Sequence, residues 1–177
     1  MVDTDVIAHA LTARHGRAIE AIRASMGADL ISPDGSLNRG ATRQRVFSDR
    51  AAKGQLESIL HPLIREEVEA ALGAPAVMLA PYILLVVPLL FETSTYRASA
   101  RTTLLVDCAV TTQLERVQRR SGLAIDEAKR IVAAQLPRAV KLQLADQIIW
   151  NGEGMAALGA QTDRIHRYYM QQGAAEA

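Results

Sequence analysis

Three short stretches constrain this chain more than anything else in it: YILLVV (82–87), TTLLVD (102–107) and QIIW (147–150). Each is continuously apolar and rich in β-forming residues, without polar alternation. That is the pattern of strands covered on both faces, as in a parallel sheet. Helical sequence separates each run from the next, which is the βαβ arrangement. The class is therefore α/β, with an all-helical block expected at 8–72 ahead of the first complete strand.

The helical block can be read from its punctuation. A helix begins near Val6 and runs to Leu11, and a second over 17–26 ends at Gly27, a residue suited to terminating helices. SPDGSLNRG (32–40) is turn chemistry leading into a helix near 41–47. The stretch 50–60 is helical and is expected to break at His61-Pro62, because proline lacks the N–H that an interior turn uses. Pro62 then sits in the first turn of a following helix over 63–72. Helices over 112–120, 125–136 and 155–170 complete the set.

Charge excludes little and promises little. Lys+Arg 20 against Asp+Glu 19 gives a formal net charge of +1, with arginines spread along the chain, so nothing argues for a nucleic-acid partner. A lone cysteine, Cys108, offers neither a disulfide framework nor a Cys-based metal site and suits a reducing compartment. AVMLAPYILLVVPLLF (76–91) falls short of the ~18 apolar residues of a membrane span and contains Pro81 and Pro88, so it reads as a core strand. The expectation is a soluble, cytoplasmic protein with no membrane partner and no bound structural metal.

Ligands in open α/β sheets bind outside the carboxyl ends of the strands. Val87 leads to Glu92, and Val106 to Asp107, at two such ends. Asp3 and Asp5 make sense as the end of a fourth strand of which only Val2 is visible, two residues apart and so on one face of an extended backbone. Aspartate is also a favoured helix N-cap, which is the plainer use for one of the two.

In order and with near-constant spacing, several segments resemble one family. They are VDTDVIAHAL (2–11), GADLISPDGSLNRGATRQRVFSD (27–49), LESILHPLIREEV (56–68), LLVVPLLFE (84–92), LLVDCAVTTQLERVQRR (104–120) and AAQLPRAVKLQLADQIIWNGEG (133–154), with IHRYY (165–169) near the end. The family they resemble is dephospho-coenzyme A kinase. The resemblance implies one P-loop kinase-type domain over 1–177: a three-layer fold with a five-stranded parallel sheet of order 2-3-1-4-5, a helical CoA-substrate block at 8–72 and a lid region at 112–145. It implies transfer of the ATP γ-phosphoryl group to the ribose 3′-hydroxyl of dephospho-CoA, with Mg²⁺, the last step of CoA synthesis. One departure is large. No G-x-x-x-x-G-K-[ST] stretch occurs in the sequence, and the glycines at 27, 35 and 40 lie in turn contexts. The expected fold therefore lacks the first strand and the phosphate loop, which puts activity of this chain in doubt.

The resemblance assigns roles residue by residue. Asp5 is the expected catalytic aspartate, accepting or orienting the acceptor hydroxyl proton, and Asp3 is a candidate to help on the substrate side. Arg138 is the expected arginine at the transferring phosphoryl group, since phosphoryl transfer needs positioning and positive charge more than covalent chemistry. Arg116, Arg119, Arg120 and Lys141 are candidates for ATP, with Lys141 offering charge but not a bidentate fork. Arg43, His61 and Glu92 are candidates for dephospho-CoA, against the plainer readings of a solvated helix face and a polar cap. Two further readings stand beside the kinase: another P-loop small-molecule kinase, and a non-catalytic CoA-binding protein.

Overall fold

In the computed structural model, residues 1–93 and 95–174 are described, and they form two compact units, Met1–Pro88 and Leu89–Ala177. Both are α/β, each built around one pair of parallel strands.

In the first unit, β1 (Val2–Asp3) pairs in parallel with β2 (Leu85–Val86), Val2 opposite Leu85 and Asp3 opposite Val86. Between them lie α1 (Thr4–Leu11), α2 (Ile19–Met26), α3 (Arg39–Ser48), α4 (Arg50–Leu72) and the single turn α5 (Pro75–Met78). Leu11, Ala18, Ile19, Ile22, Met26, Leu30, Leu37 and Ala52 form one buried cluster. Burial of an aliphatic side chain as large as Ile22 or Leu30 stabilises a fold by about 1.5–3 kcal/mol, so this cluster holds the unit together. Local chemistry sets the element ends. Gly27 ends α2 with φ 111°, and a Cβ there would stand 2.5 Å from Asp29 Oδ1. Asn38 caps α3 and Asp49 caps α4, each accepting from backbone N–H groups of the first turn.

Pro62 does not break the helix. α4 runs unbroken for 23 residues with Pro62 inside it. Proline in a helix interior costs ~3 kcal/mol, but Leu56, Ile59 and Leu60 before it and Leu63 and Ile64 after it all pack on the same cluster. Breaking the axis would pull one of those groups off the core, and their combined burial outweighs one lost hydrogen bond.

In the second unit, β3 (Leu104–Asp107) pairs in parallel with β4 (Gln147–Trp150), Asp107 opposite Trp150. The crossover carries α6 (Val110–Ser121), α7 (Ile125–Ala133) and α8 (Arg138–Leu144), and α9 (Met155–Ala174) follows β4. α8 is not visible in the sequence pattern, and α7 ends before the expected position 136.

The strands are shorter and barer than their composition suggests. β2 covers two of the six residues expected, because only Val2 and Asp3 pair with it. At β3, Thr103 binds the Asp146 side chain through both its N–H (2.8 Å) and its hydroxyl (2.7 Å), ahead of the ladder. Nor are the strands covered on both faces among the described residues: Val106 is 57% exposed and Ile148 44%, while Ile149 is 5% exposed.

Candidate functional site

The candidate residues fall into one group in each unit. In the first, the chain leaves β1 with Asp3 still extended (φ −124°, ψ 117°) and turns helical at Thr4. Asp3 Oδ1 accepts from the N–H groups of Asp5 (2.8 Å) and Val6 (3.3 Å), satisfying two of the four donors that a helix start leaves without intrahelical partners. Thr4 is buried, and its hydroxyl donates to the Val86 carbonyl (3.1 Å), tying the junction to β2. Asp5 therefore lies on a helix and not on the strand, and the shared strand face expected for Asp3 and Asp5 does not form. The Asp5 side chain is exposed, and its carboxylate has no hydrogen-bond or ion-pair partner among the described residues. Arg43 is exposed on α3, and His61 is exposed in the middle of α4, not at a helix break. Arg39 donates to the hydroxyl of buried Thr12 (3.2 Å), so that arginine is anchored, while Arg43 has no such partner among the described residues.

In the second unit, the carboxyl end of β3 carries Asp107, which is 7% exposed. Arg138, the first residue of α8, grips it with Nε at 2.8 Å from Oδ1 and 3.1 Å from Oδ2, and Nη2 at 2.5 Å from Oδ2. These bonds favour the charged guanidinium and raise the Arg138 pKa above its ordinary value. The guanidinium also lies 5.7 Å from the centre of the Trp150 ring, within cation–π range. Trp150 is itself fixed: the Gln161 amide accepts from its N–H (3.0 Å) and donates to its carbonyl (2.9 Å). A Cβ at Gly152 would stand 2.3 Å from the ring's Cζ2, so only glycine admits the ring there.

Asp107, Cys108, Gln113, Gln135, Arg138 and Lys141 contribute the polar lining of a cavity of about 310 Å³ between the end of β3 and the helices that follow. Lys141 lies one turn along α8 from Arg138, with Nζ held by Gln135 Oε1 at 3.0 Å. Glu92 does not line this cavity, but its Oε1 accepts from the Leu136 N–H (3.0 Å), two residues before Arg138. Arg116, Arg119 and Arg120 share one face of α6 at i, i+3 and i+4, and none has an ion-pair partner among the described residues. Thus Arg138 and Lys141 come together, Glu92 holds the segment leading to them, and the α6 arginines stand apart from that cavity, Arg119 and Arg120 exposed and Arg116 half-buried. Asp107 was legible as a polar strand end, but nothing in its neighbourhood of sequence announces Arg138 as its partner.

A family model described as dephospho-CoA kinase matches residues 1–157. A dephospho-CoA kinase of Thiobacillus denitrificans is 47% identical over 170 residues, covering 96% of this chain and 83% of that protein. One from Aromatoleum aromaticum is 46% identical, with 96% and 82% covered. Among solved structures, TT1252 from Thermus thermophilus superposes with a TM-score of 0.75 at 28% identity, covering 94% of this chain and 83% of that one. The dephospho-CoA kinase from Campylobacter jejuni shares the fold, with a TM-score of 0.67 at 22% identity over 97% of this chain and 85% of that one.

Proposed function

The chain belongs to the dephospho-CoA kinase family, and from that premise we propose that it serves the transfer of the ATP γ-phosphoryl group to the ribose 3′-hydroxyl of dephospho-CoA. The observation that carries this reading is identity of 42–47% to dephospho-CoA kinases along 96% or more of the chain.

Asp5 takes the acceptor side. A carboxylate that is exposed and uncommitted is available to receive the hydroxyl proton, and its place in the first turn of α1 fixes its approach. Asp3 supports it by capping the helix on which Asp5 rides, with Oδ2 left over for substrate. Arg43 and His61, exposed on the helical block, and Glu92, through Oε2, serve dephospho-CoA. Arg138 takes the transferring phosphoryl group. Lys141 and the α6 arginines, Arg116, Arg119 and Arg120, take ATP, since a loose transition state is stabilised by fixed positive charge.

Mg²⁺ brought by ATP needs only one or two protein carboxylates beside the phosphates. No three His, Cys, Asp or Glu side chains converge among the described residues, and Asp3 Oδ2, the oxygen not used in capping, would be the carboxylate ligand to the Mg²⁺ of the ATP substrate. The ion would supply charge neutralisation on the phosphates. A finer expectation follows from the lack of a G-x-x-x-x-G-K-[ST] stretch in these 177 residues. Without the backbone N–H nest and lysine of that loop, the polypeptide on its own should give no measurable turnover.

A coupled ADP-release assay tests both levels. A version extended upstream of Met1 by a strand, such a loop and a helix should turn over only when ATP and dephospho-CoA are both present, and the 177-residue polypeptide should not. An extended version that phosphorylates a nucleoside but ignores dephospho-CoA would sink the substrate assignment. Turnover by the 177-residue polypeptide alone would sink the finer expectation.

A further inference from the structure

We infer that Asp107 is a positioning residue for phosphate binding: it holds Arg138 by its Nε/Nη2 edge so that Nη1 remains for a phosphate oxygen in the cavity beside Lys141. The inference rests on the reading of Arg138 as a phosphate contact.

Two uses of such a pair are physically distinct. Asp107 can be a latch that Arg138 leaves when an anion arrives, or a mount that Arg138 keeps. Burial decides between them. The Asp107 side chain is 7% exposed and the Arg138 side chain 41%, and Arg138 is the only side chain bonded to the Asp107 carboxylate among the described residues. Withdrawing the guanidinium would leave a buried carboxylate unpaired, which is far more costly than leaving the half-exposed arginine in place. Both bonded nitrogens are Nε and Nη2, so among the described residues Nη1 is the terminal nitrogen without a protein partner.

The rest of the mount agrees. Trp150 backs the guanidinium, Gln161 and Gly152 fix Trp150, and Glu92 holds the backbone at Leu136 just ahead of Arg138. A side chain restrained at its carboxylate edge, its flat face and its backbone is preorganised, and loses little freedom when it binds. Lys141, steadied by Gln135, adds a second cation to the same cavity.

The test uses inorganic tripolyphosphate as probe on the 177-residue protein, with Arg138 side-chain resonances followed by NMR and affinity by calorimetry. On saturation the Arg138 Nε–H signal should keep its carboxylate-bonded shift while the Nη signals move. Loss of the Nε–H shift would show that Arg138 leaves Asp107 and would overturn the inference. Asp107→Asn makes the site more positive, so charge alone would tighten anion binding. Loss of the mount should instead weaken it by about tenfold, the worth of one charge-assisted hydrogen bond. Arg138→Ala combined with Asp107→Asn should bind no more weakly than Arg138→Ala alone. Equal or tighter binding by Asp107→Asn, with Arg138→Ala weakened, would overturn the mount and leave the phosphate role of Arg138 standing. No loss in Arg138→Ala, or no binding to the wild type, would overturn both.

Discussion

Replacing Asp3 separates a structural role from a chemical one. Its carboxylate accepts from two backbone N–H groups, at 2.8 and 3.3 Å, both at a solvent-accessible helix start. Asp3→Ala removes the acceptor, and water can reach the freed donors, so the loss belongs near the middle of the capping range, about 1 kcal/mol. The negative charge at the N-terminus of α1 adds about 0.3 kcal/mol through the helix dipole. Asp3→Asn keeps an oxygen acceptor in the same place and should forfeit only that smaller part. With an m-value near 2 kcal/mol/M, the urea midpoint should fall by about 0.6 M for alanine and about 0.2 M for asparagine. Amide exchange gives the local check: the Asp5 and Val6 N–H groups should exchange faster in Asp3→Ala and nearly as in the wild type in Asp3→Asn. If asparagine destabilises as much as alanine, or if those two amides are indifferent to the alanine change, the capping argument is wrong.

Asp5→Asn, made in the upstream-extended version, should lower turnover by ~10²-fold while ATP binding by calorimetry holds, and near-normal turnover would remove Asp5 from the acceptor role. Pro62→Ala should stabilise the first unit by about 2 kcal/mol in urea unfolding, the ~3 kcal/mol cost of an interior proline less about 1 kcal/mol for the freer unfolded chain. No gain there would mean that α4 does not bond across position 62. Asp146 is held below its ordinary pKa, first by the Thr103 hydroxyl and then by the Thr103 N–H. A depressed folded pKa means stability that is present above the unfolded carboxylate value and lost as pH falls through the folded one. The stability gap between wild type and Asp146→Asn should therefore be steady near neutrality and close at acid pH. A gap that widens on acidification would contradict that sign.

Much of the chain is written in short-range chemistry that a sequence displays. β4, Gly27 at the end of α2, the turn before α3 and the α/β alternation all depend on residues within a few positions of one another. The family resemblance likewise needed only the order and spacing of segments. What the sequence left open was always a question of partners far along the chain. Whether Pro62 breaks a helix depended on a core built by α1, α2 and the segment around Leu30, which hold both halves of α4 in line. How far β2 extends depended on the two residues of β1, some eighty positions earlier. That Asp3, not Asp5, caps α1 depended on where the backbone turns after pairing with Val86. Asp107 and Arg138 are 31 residues apart, and nothing local distinguishes this arginine from those on α6. Propensity acts over one or two turns of backbone, whereas burial and charge pairing act across space, and only the folded chain says which residues share that space.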